Sequence, residues 1–354
     1  MRAMNKKSKN MSTGLLVMGA TLLVLCTLLT SCAQSKARTK IKALVVPKFE
    51  VDEMSGDFAG EAQLFYEQYC AGCKQVPIPN STPTSQFYVN EETGVALLVT
   101  GSGKTAAGLS LASVLSCDDY DFSDTAIVSV GCGGGSTGTC VPGDVIVVSG
   151  ACDAELGHRV DARELEDPQD GHTWFADESY NDYGSAMLNP ELCEKAYQLV
   201  KDCPLRTTET TARVIAESYP DEEWATRKPH VAKGAALTGD CYWKGSYEHE
   251  NAESIVRHYG CPDEYAVTEM EDLAIMNAAR CFGLENRVIS LRVIVNMDTF
   301  LKGESAESLW LDGVDYNEDV AEGGGETMDI FAPGMRNLFD TGRIVIDAVL
   351  AGEL

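Results

Sequence analysis

Short apolar runs alternate along the chain with longer segments whose apolar residues recur at helical spacing. Runs of strand length lie at 41–46, 96–100, 126–130, 145–149 and 288–295. Helices are predicted at 61–69, 104–116, 190–200, from 268 onward and within 335–350. Strands that alternate with helices predict an α/β fold, here a single domain with a central mixed, largely parallel sheet flanked by helices. In such folds, binding sites form at the carboxyl ends of the strands.

The N-terminus predicts a targeting segment over residues 1–31. A basic stretch precedes the apolar run Leu15–Leu29, which is shorter than the roughly 20 residues that span a bilayer. The run ends at Leu29–Cys32, which resembles a bacterial lipobox with Cys32 as the lipidated first residue of the mature chain. An uncleaved membrane anchor is the alternative. Either way, we expect an exported protein anchored to a bacterial membrane, at the cell surface or on the periplasmic face.

The remainder of the chain divides into a polar tether, 32–40, and one domain, 41–354. Apolar runs after Cys32, such as Ala43–Val46, have strand length, so we expect no membrane-spanning segment there. The chain has 54 acidic against 28 basic residues and a formal charge of −26. A surface this negative repels phosphate backbones, which argues against a nucleic-acid partner.

Thirteen cysteines are an unusual number, and export would permit disulfides. Cys70 and Cys73 have the spacing of a redox pair or of half a metal site. A second such pair and clustered histidines are both missing, so we expect no metal and no cofactor. A local disulfide or plain thiols fit this pair better, and the spacing does not assign the other cysteines to pairs.

The segment Thr100–Thr105 contains the letters GSGKT, which suggest a nucleotide-binding P-loop. That motif requires a further glycine where this chain has Leu98, so a P-loop is excluded. Gly101 and Gly103 still permit a tight strand-to-helix turn whose amides can meet an anion or a sugar hydroxyl. A purely structural turn is the alternative.

Two further segments are suited to a planar, apolar ligand. The glycine run Gly131–Gly135 follows a buried strand and predicts a turn where backbone approaches a ligand, or else a mobile loop. Tyr242 and Trp243 follow the small-residue turn at 238–240, and adjacent aromatic rings there can stack on a base. Ordinary core packing of both rings is the alternative.

Polar residues lie at the start of a predicted helix and at the end of a predicted strand. Glu269–Asp272 opens a helix, where the N-terminal amides favour carboxylates. A carboxylate at this point can accept hydrogen bonds from two ribose hydroxyls, although a solvated acidic helix start is the plain alternative. The strand at 288–295 ends in Asn296 and Asp298, at the sheet edge where sites form.

The segments TGSGKTAA, VGCGGG, LTGDCYW, TEMEDLAI and LRVIVN, in this order, resemble the nucleoside phosphorylase superfamily. That group includes hexameric purine phosphorylases and methylthioadenosine/S-adenosylhomocysteine nucleosidases. The opening at 45–63 and the C-terminal TGRIVIDAVL resemble more specifically the purine nucleoside permease family, over residues 41–354. The resemblance implies a nucleoside phosphorylase-like fold and a purine nucleoside ligand.

The resemblance also implies a set of site residues. The implied ligand-binding residues are Gly101, Ser102 and Gly103 at the ribose and anion end, Gly133 and Gly134 beneath sugar and base, Tyr242 and Trp243 at the base, and Met270 and Glu271 at the ribose. The implied catalytic residues are Asn296 on the purine, Glu50 or its neighbour Asp52 for activating water, and Asp298 as a substitute proton source.

One departure from the superfamily concerns phosphate. Ser129 occupies the position where hexameric phosphorylases hold a phosphate-binding arginine, and no arginine lies between Arg38 and Arg159. Doubly charged phosphate requires charge-assisted hydrogen bonds, so we expect it to bind poorly. Hydrolysis of the N-ribosyl bond is therefore favoured over phosphorolysis.

Taken together, the sequence predicts a surface lipoprotein that captures purine nucleosides for uptake, with cleavage of the N-glycosidic bond as an associated activity. A homo-oligomer and a separate membrane transporter are expected partners. The alternative is an outward-facing purine nucleoside hydrolase or phosphorylase. A family member with a storage or adhesive role and no nucleoside binding is a third reading.

Overall fold

The computed structural model describes residues 37–354 apart from 52, 57, 165, 167–173, 176–181, 219–224, 301–304 and 306–325. Residues 1–36, including Cys32, lie outside the described part, as does Asp52. The strands are β1 Thr39–Lys40, β2 Ala43–Val46, β3 Gln86–Asn90, β4 Val95–Val99, β5 Tyr120–Asp121, β6 Ala126–Gly135, β7 Val145–Asp153, β8 His158–Arg159, β9 Trp174–Phe175, β10 Ser185–Met187, β11 Val231–Thr238, β12 Tyr265–Glu269 and β13 Val288–Met297.

The described helices include five that lie in predicted segments and two, over residues 209–218 and 246–258, that were not predicted. They are α1 Gln63–Phe65, α2 Lys104–Leu115, α3 Pro190–Val200, α4 Glu209–Ser218, α5 Ser246–His258, α6 Asp272–Cys281 and α7 Glu326–Ala351. Short 3₁₀ turns lie at Ala162–Glu164 and Glu285–Arg287. Among the described helices, none combines the length and the apolar character that crossing a bilayer requires.

Nine strands form one mixed sheet in the order β10-β7-β11-β12-β6-β2-β4-β3, with β13 paired to both β6 and β7. Pairing is parallel for β2 with β4, β2 with β6, β6 with β13, β7 with β11 and β11 with β12. The strands β6, β12, β11, β7 and β13 thus close a ring in which each pairs with the next. The predicted α/β fold with a mixed, largely parallel central sheet is confirmed.

Helices cover both faces of this sheet. One apolar core lies beneath α2 and α6 and includes Leu111 and Ile275. A second lies beneath α1, α3 and α7 and includes Phe65 and Val345. The first helix is shorter than predicted, because after Phe65 the chain continues as a π-helical turn over Tyr66–Cys70.

The glycine run after residue 130 is strand rather than the predicted turn. β6 continues to Gly135, with Gly134 paired to Thr268 of β12 on one side and to Asn296 of β13 on the other. A side chain at Gly133 would place its Cβ 2.5 Å from Val267 Cγ2 and 2.6 Å from the Thr268 carbonyl oxygen. Glycine is therefore required because β12 passes too close for any side chain.

We expect Gly133→Ala to lower the free energy of unfolding by about 1–3 kcal/mol, because the added methyl group meets backbone that cannot move aside. Gly108→Ala is the matched control. Gly108 lies within α2, and its Cβ would meet the Ala274 side chain of α6 at an ordinary 3.7 Å. In a helix, alanine is more stable than glycine by up to about 1 kcal/mol. Urea denaturation compares the two variants, and equal stabilities would contradict the close approach of β12.

Candidate functional site

The start of α6 carries a buried group of carboxylates. Glu269 ends β12, and its Oε2 accepts hydrogen bonds from the amides of Glu271 and Asp272, both at 2.7 Å. Its Oε1 accepts the hydroxyl of Thr238. Glu269 therefore caps the helix, and burial raises its pKa to about 7 despite the nearby charge of Arg292.

Arg292 of β13 binds all three carboxylates. Its Nη2 lies 2.7 Å from Glu269 and 2.9 Å from Asp272, and its Nη1 lies 3.3 Å from Glu271. Nη1 also donates to the carbonyl of Cys132 at 3.2 Å. Arg292 is 1% exposed, so the whole cluster is removed from water. Although burial acts to raise the pKa of Asp272, the charges of Arg292 and Lys48 hold it below its usual range.

Lys48 extends the cluster beneath β6. Its Nζ donates to Ser129 Oγ at 2.7 Å, to the Val130 carbonyl at 2.9 Å and to the Val46 carbonyl at 3.1 Å. Ser129 in turn donates to Asp272 at 2.7 Å. An ammonium group has three donors, so all of those on Lys48 are engaged within the protein. Burial and then the charge of Arg292 lower the pKa of Lys48.

Glu271 faces the turn before α2. One of its oxygens accepts the amide of Gly103 at 2.8 Å, and the other lies against Arg292. Burial raises the pKa of Glu271. Since a carboxylate has about four acceptor positions, each oxygen retains room for one further hydrogen bond.

Glu61 is a second buried carboxylate near this point. Its Oε2 accepts the amide of Lys48 at 2.8 Å and its Oε1 accepts the amide of Cys132 at 2.7 Å. A Cβ built on Gly131 would lie 2.9 Å from Glu61 Oε1 and 2.6 Å from Arg292 Nη1, so both side chains pass over that glycine. Glu61 thus lies beside the arginine that holds Glu271.

Glu50, for which the resemblance implies water activation, is bound by the backbone of its own loop. Its two oxygens accept four backbone amides, those of Val51, Gly60, Ala62 and Gln63. These bonds hold the chain around residue 61 and leave the carboxylate occupied. Through them, Glu50 positions Glu61.

The turn Gly101–Gly103 has the tight shape that its glycines predict. Gly101 and Gly103 adopt φ of 84° and 91°, which favour glycine. The next amide, that of Lys104, donates to Asp240 at 2.7 Å, and the Lys104 ammonium lies 3.1 Å from Asp153 and 2.6 Å from Glu155. The amides of Gly103 and Lys104 are therefore already bound to carboxylates, while the side chain of Ser102 is exposed.

Asn296 and Tyr242 meet at the other end of the glycine run. The Asn296 Nδ2 lies 3.4 Å from the Tyr242 hydroxyl, and a Cβ on Gly134 would lie 3.4 Å from the same nitrogen. Tyr242 is 65% exposed, so its ring can be reached from solvent. Trp243 is partly buried and packs against an apolar cluster that includes Leu237 and Ile255, which agrees with the alternative of core packing for this ring.

Asp298 is buried and engaged with a histidine. Its Oδ2 lies 2.8 Å from His249 Nδ1, and its Oδ1 accepts the amide and the hydroxyl of Thr137. The hydrogen bond with Asp298 raises the pKa of His249, and Glu253 and Glu250 on the same helix act in the same direction. The pair ties the start of α5, just after Trp243, to the end of β13.

A raised histidine pKa predicts a pH-dependent contribution to stability. The stabilisation by protonated His249 is fully present below the ordinary histidine pKa of about 6.5 and is lost as pH rises through the higher folded value. We expect the stability difference between wild type and His249→Gln to be larger at pH 6 than at pH 9. Urea denaturation at both pH values tests this, and a difference that grows with pH would contradict it.

A family model supplies the decisive comparison. The model of the purine nucleoside permease (NUP) family matches residues 40–352. The chain belongs to the purine nucleoside permease family. A probable purine nucleoside permease of Schizosaccharomyces pombe is 25% identical over 227 residues, which cover 59% of this chain and 65% of that protein. The match therefore spans just under two thirds of the relative.

Solved structures share the fold. The 5′-methylthioadenosine/S-adenosylhomocysteine nucleosidase of Helicobacter pylori aligns with a TM-score of 0.52 and 12% identity over 90% of this chain and 100% of the nucleosidase. Futalosine hydrolase of the same organism gives a TM-score of 0.52 and 12% identity, over 89% and 98%. This permease-family chain thus has a nucleoside phosphorylase-like fold, as its sequence predicted.

The predicted residues of the permease-family chain fall into two groups. Gly103 and Glu271 are joined by a hydrogen bond at one end of the Gly131–Gly134 run, and Tyr242 and Asn296 approach each other at the other. The two ends of that run are three residue steps apart along the strand, about 10 Å. Glu50 and Asp298 are bound to other partners.

Sequence reasoning missed four residues that build the site: Lys48, Glu61, Arg292 and His249. Glu61 had a visible signal, since it follows Gly60 at the start of the predicted helix at 61–69. Arg292 stood inside an otherwise apolar strand, where a charge requires a buried partner. The other two become visible only when distant segments are brought together.

Proposed function

We propose that this chain binds purine nucleosides between the two ends of the Gly131–Gly134 run and hydrolyses their N-glycosidic bond. The observation that carries the proposal is the pair of buried carboxylates, Glu61 and Glu271, beside Arg292. The family match and the nucleosidase-like fold support a nucleoside ligand.

The site favours water over phosphate as the nucleophile, because the groups that could bind phosphate are already engaged. Lys48 and Arg292 both donate to protein acceptors, and Lys104 is paired with Asp153 and Glu155. The turn amides of Gly103 and Lys104 are bound to carboxylates as well. Phosphate would have to displace these partners, so the described part of the chain favours hydrolysis over phosphorolysis.

In the proposed reaction, Glu271 accepts hydrogen bonds from the ribose hydroxyls and stabilises the positive charge that develops on the sugar. Glu61 removes a proton from the attacking water as the new carbon–oxygen bond forms and the bond to the purine breaks. The departing purine takes its proton from solvent, since the amide of Asn296 can donate a hydrogen bond but cannot release a proton. The products are free base and ribose. An amide that donates and accepts also suits a 6-oxopurine such as inosine or guanosine.

Capture without cleavage is the second candidate, and Asn296 is the observation that favours it. Without an acid at this position, the base leaves with less assistance, which lowers the rate of cleavage. A bound nucleoside would then be held until a separate membrane transporter receives it.

We further propose that the protein serves purine nucleoside uptake as a lipoprotein anchored through Cys32. The family description and the lipobox-like end of the N-terminal segment support this. Fractionation of cells that produce the full-length chain tests the anchor. Wild type should be found with membranes and Cys32→Ala should not, and equal distribution of the two would reject lipidation.

We expect Glu271→Ala to weaken inosine binding by about 2 kcal/mol, roughly 30-fold, because buried ribose hydroxyls would lose a charged acceptor. Glu285→Ala, at an exposed position on the Glu285–Arg287 turn, removes the same charge elsewhere and should leave affinity unchanged. Isothermal titration calorimetry measures both. Unchanged affinity in Glu271→Ala would mean that the ribose does not lie at this carboxylate.

Product analysis tests the reaction itself. Inosine and guanosine are incubated with the purified protein, with and without phosphate. Free base and ribose that form regardless of phosphate would support hydrolysis. Ribose 1-phosphate would overturn the argument from the engaged cations, and intact nucleoside with binding confirmed by calorimetry would leave capture alone.

A further inference from the structure

Two cysteines far apart in sequence meet beside the proposed site. Cys152 lies near the end of β7 and Cys261 lies just after α5, 109 positions later. Their sulfur atoms are 3.0 Å apart. That separation is closer than unbonded sulfur atoms normally rest, and it requires both side chains to point at each other.

The surroundings of the pair are asymmetric. Cys152 is fully buried in the apolar cluster that contains Leu237 and Ile255, whereas Cys261 is half-buried at the edge of the same cluster. An oxidant can therefore approach Cys261 from solvent, whereas Cys152 is covered by the protein. Trp243, next to the proposed base-stacking Tyr242, packs against this cluster as well.

We propose that Cys152 and Cys261 are a redox modification site, which forms a disulfide when the folded protein meets a small-molecule or protein disulfide. The geometry suits this because the thiols converge in the folded state without rearrangement of β7 or α5. Neither cysteine belongs to a short cysteine motif, so the pairing follows from the fold alone.

The chemistry is a two-step thiol–disulfide exchange. The hydrogen bond from Cys152 lowers the pKa of Cys261, which makes the accessible sulfur the attacking thiolate. Cys261 attacks the oxidant disulfide, forms a mixed disulfide and releases the first thiolate. The Cys152 thiol then attacks the Cys261 sulfur and passes its proton to the second departing thiolate. One disulfide is consumed, one is formed, and the oxidant leaves as two thiols.

The bond would tie two parts of the site together. Asp153, directly after Cys152, accepts hydrogen bonds from the Lys104 ammonium at the start of α2. Cys261 follows α5, the helix whose start is held by His249 and Asp298. A cross-link between positions so distant in sequence also restricts the unfolded chain, which stabilises the folded state.

Peptide mapping tests the proposal directly. The purified full-length protein is treated with oxidised glutathione, free thiols are blocked with N-ethylmaleimide, and the digest is analysed without reduction. We expect a linked peptide that contains Cys152 and Cys261, and a melting temperature roughly 10 °C above that of the dithiothreitol-treated protein. Cys261→Ser and Cys152→Ala should each abolish the linked peptide and this oxidation-dependent shift.

Cys193→Ala is the matched control, because Cys193 is another buried thiol whose hydrogen bond goes to the Val148 carbonyl. It should keep both the linked peptide and the shift. Recovery of Cys152 and Cys261 as blocked thiols, or linkage of Cys261 to any other cysteine, would overturn the proposal. If Cys152→Ala fails to fold, Cys261→Ser gives the same test from the half-buried side.

Discussion

Replacing Arg292 with alanine is expected to lower the free energy of unfolding by about 3–5 kcal/mol. The guanidinium lies within 3.3 Å of Glu269, Glu271 and Asp272, and it is 1% exposed. Without it, three carboxylates remain buried together, and Lys48 alone compensates them. Leaving a buried charge without its partner destabilises a protein far more than the intact ion pair stabilises it. We therefore expect Arg292→Ala to be among the most destabilising single substitutions in the chain.

Urea denaturation measures the loss, with Arg343→Ala as the control. Arg343 pairs with Asp347 on the exposed face of α7, where an ion pair contributes about 0–1 kcal/mol. Adding Asp272→Asn to Arg292→Ala should recover part of the stability, because one unpaired charge is removed. A loss of less than 1 kcal/mol in Arg292→Ala, or no recovery in the double variant, would contradict the charge argument.

Elements whose pattern is local were predictable from sequence. The strand at 96–100 followed by a glycine turn and a helix from Lys104 corresponds to β4 and α2, and Asn189 caps α3 as expected. Both rest on apolar spacing and on capping chemistry within a few residues. The prediction of a turn at 131–135 was wrong, because the glycines there are required by a neighbouring strand that lies 132 to 134 positions later in the sequence.

The candidate site was predictable only where a motif named its residues. Gly103 and Glu271 were identified from separate motifs, and the structure joins them by a hydrogen bond. The strand around Arg292 indicates that this charge needs a buried partner, but it could not show that the carboxylate partners come from the end of β12 and the start of α6. Glu50 and Glu61 are both acidic residues of one loop. Only their hydrogen bonds distinguish them: Glu50 accepts backbone amides of that loop, whereas Glu61 accepts the amide of Cys132, beside Arg292.

That distinction leads to the largest expected effect on activity. We expect Glu61→Gln to lower kcat for inosine hydrolysis by about 10²–10⁴-fold while the affinity for inosine changes little, because an amide cannot take the proton from water. Glu61 accepts two backbone amides, at 2.8 and 2.7 Å, and glutamine can keep only the one that meets its carbonyl oxygen. Thermal melting therefore accompanies the kinetics, to separate lost chemistry from lost structure.

Glu50→Gln provides the opposite pattern. This carboxylate accepts four amides and holds the chain around Glu61, so its loss should lower the melting temperature and should lower kcat per folded molecule less than Glu61→Gln does. A large loss of kcat in Glu50→Gln with normal turnover in Glu61→Gln would move water activation to Glu50. Equal and small effects of both would mean that neither carboxylate activates water.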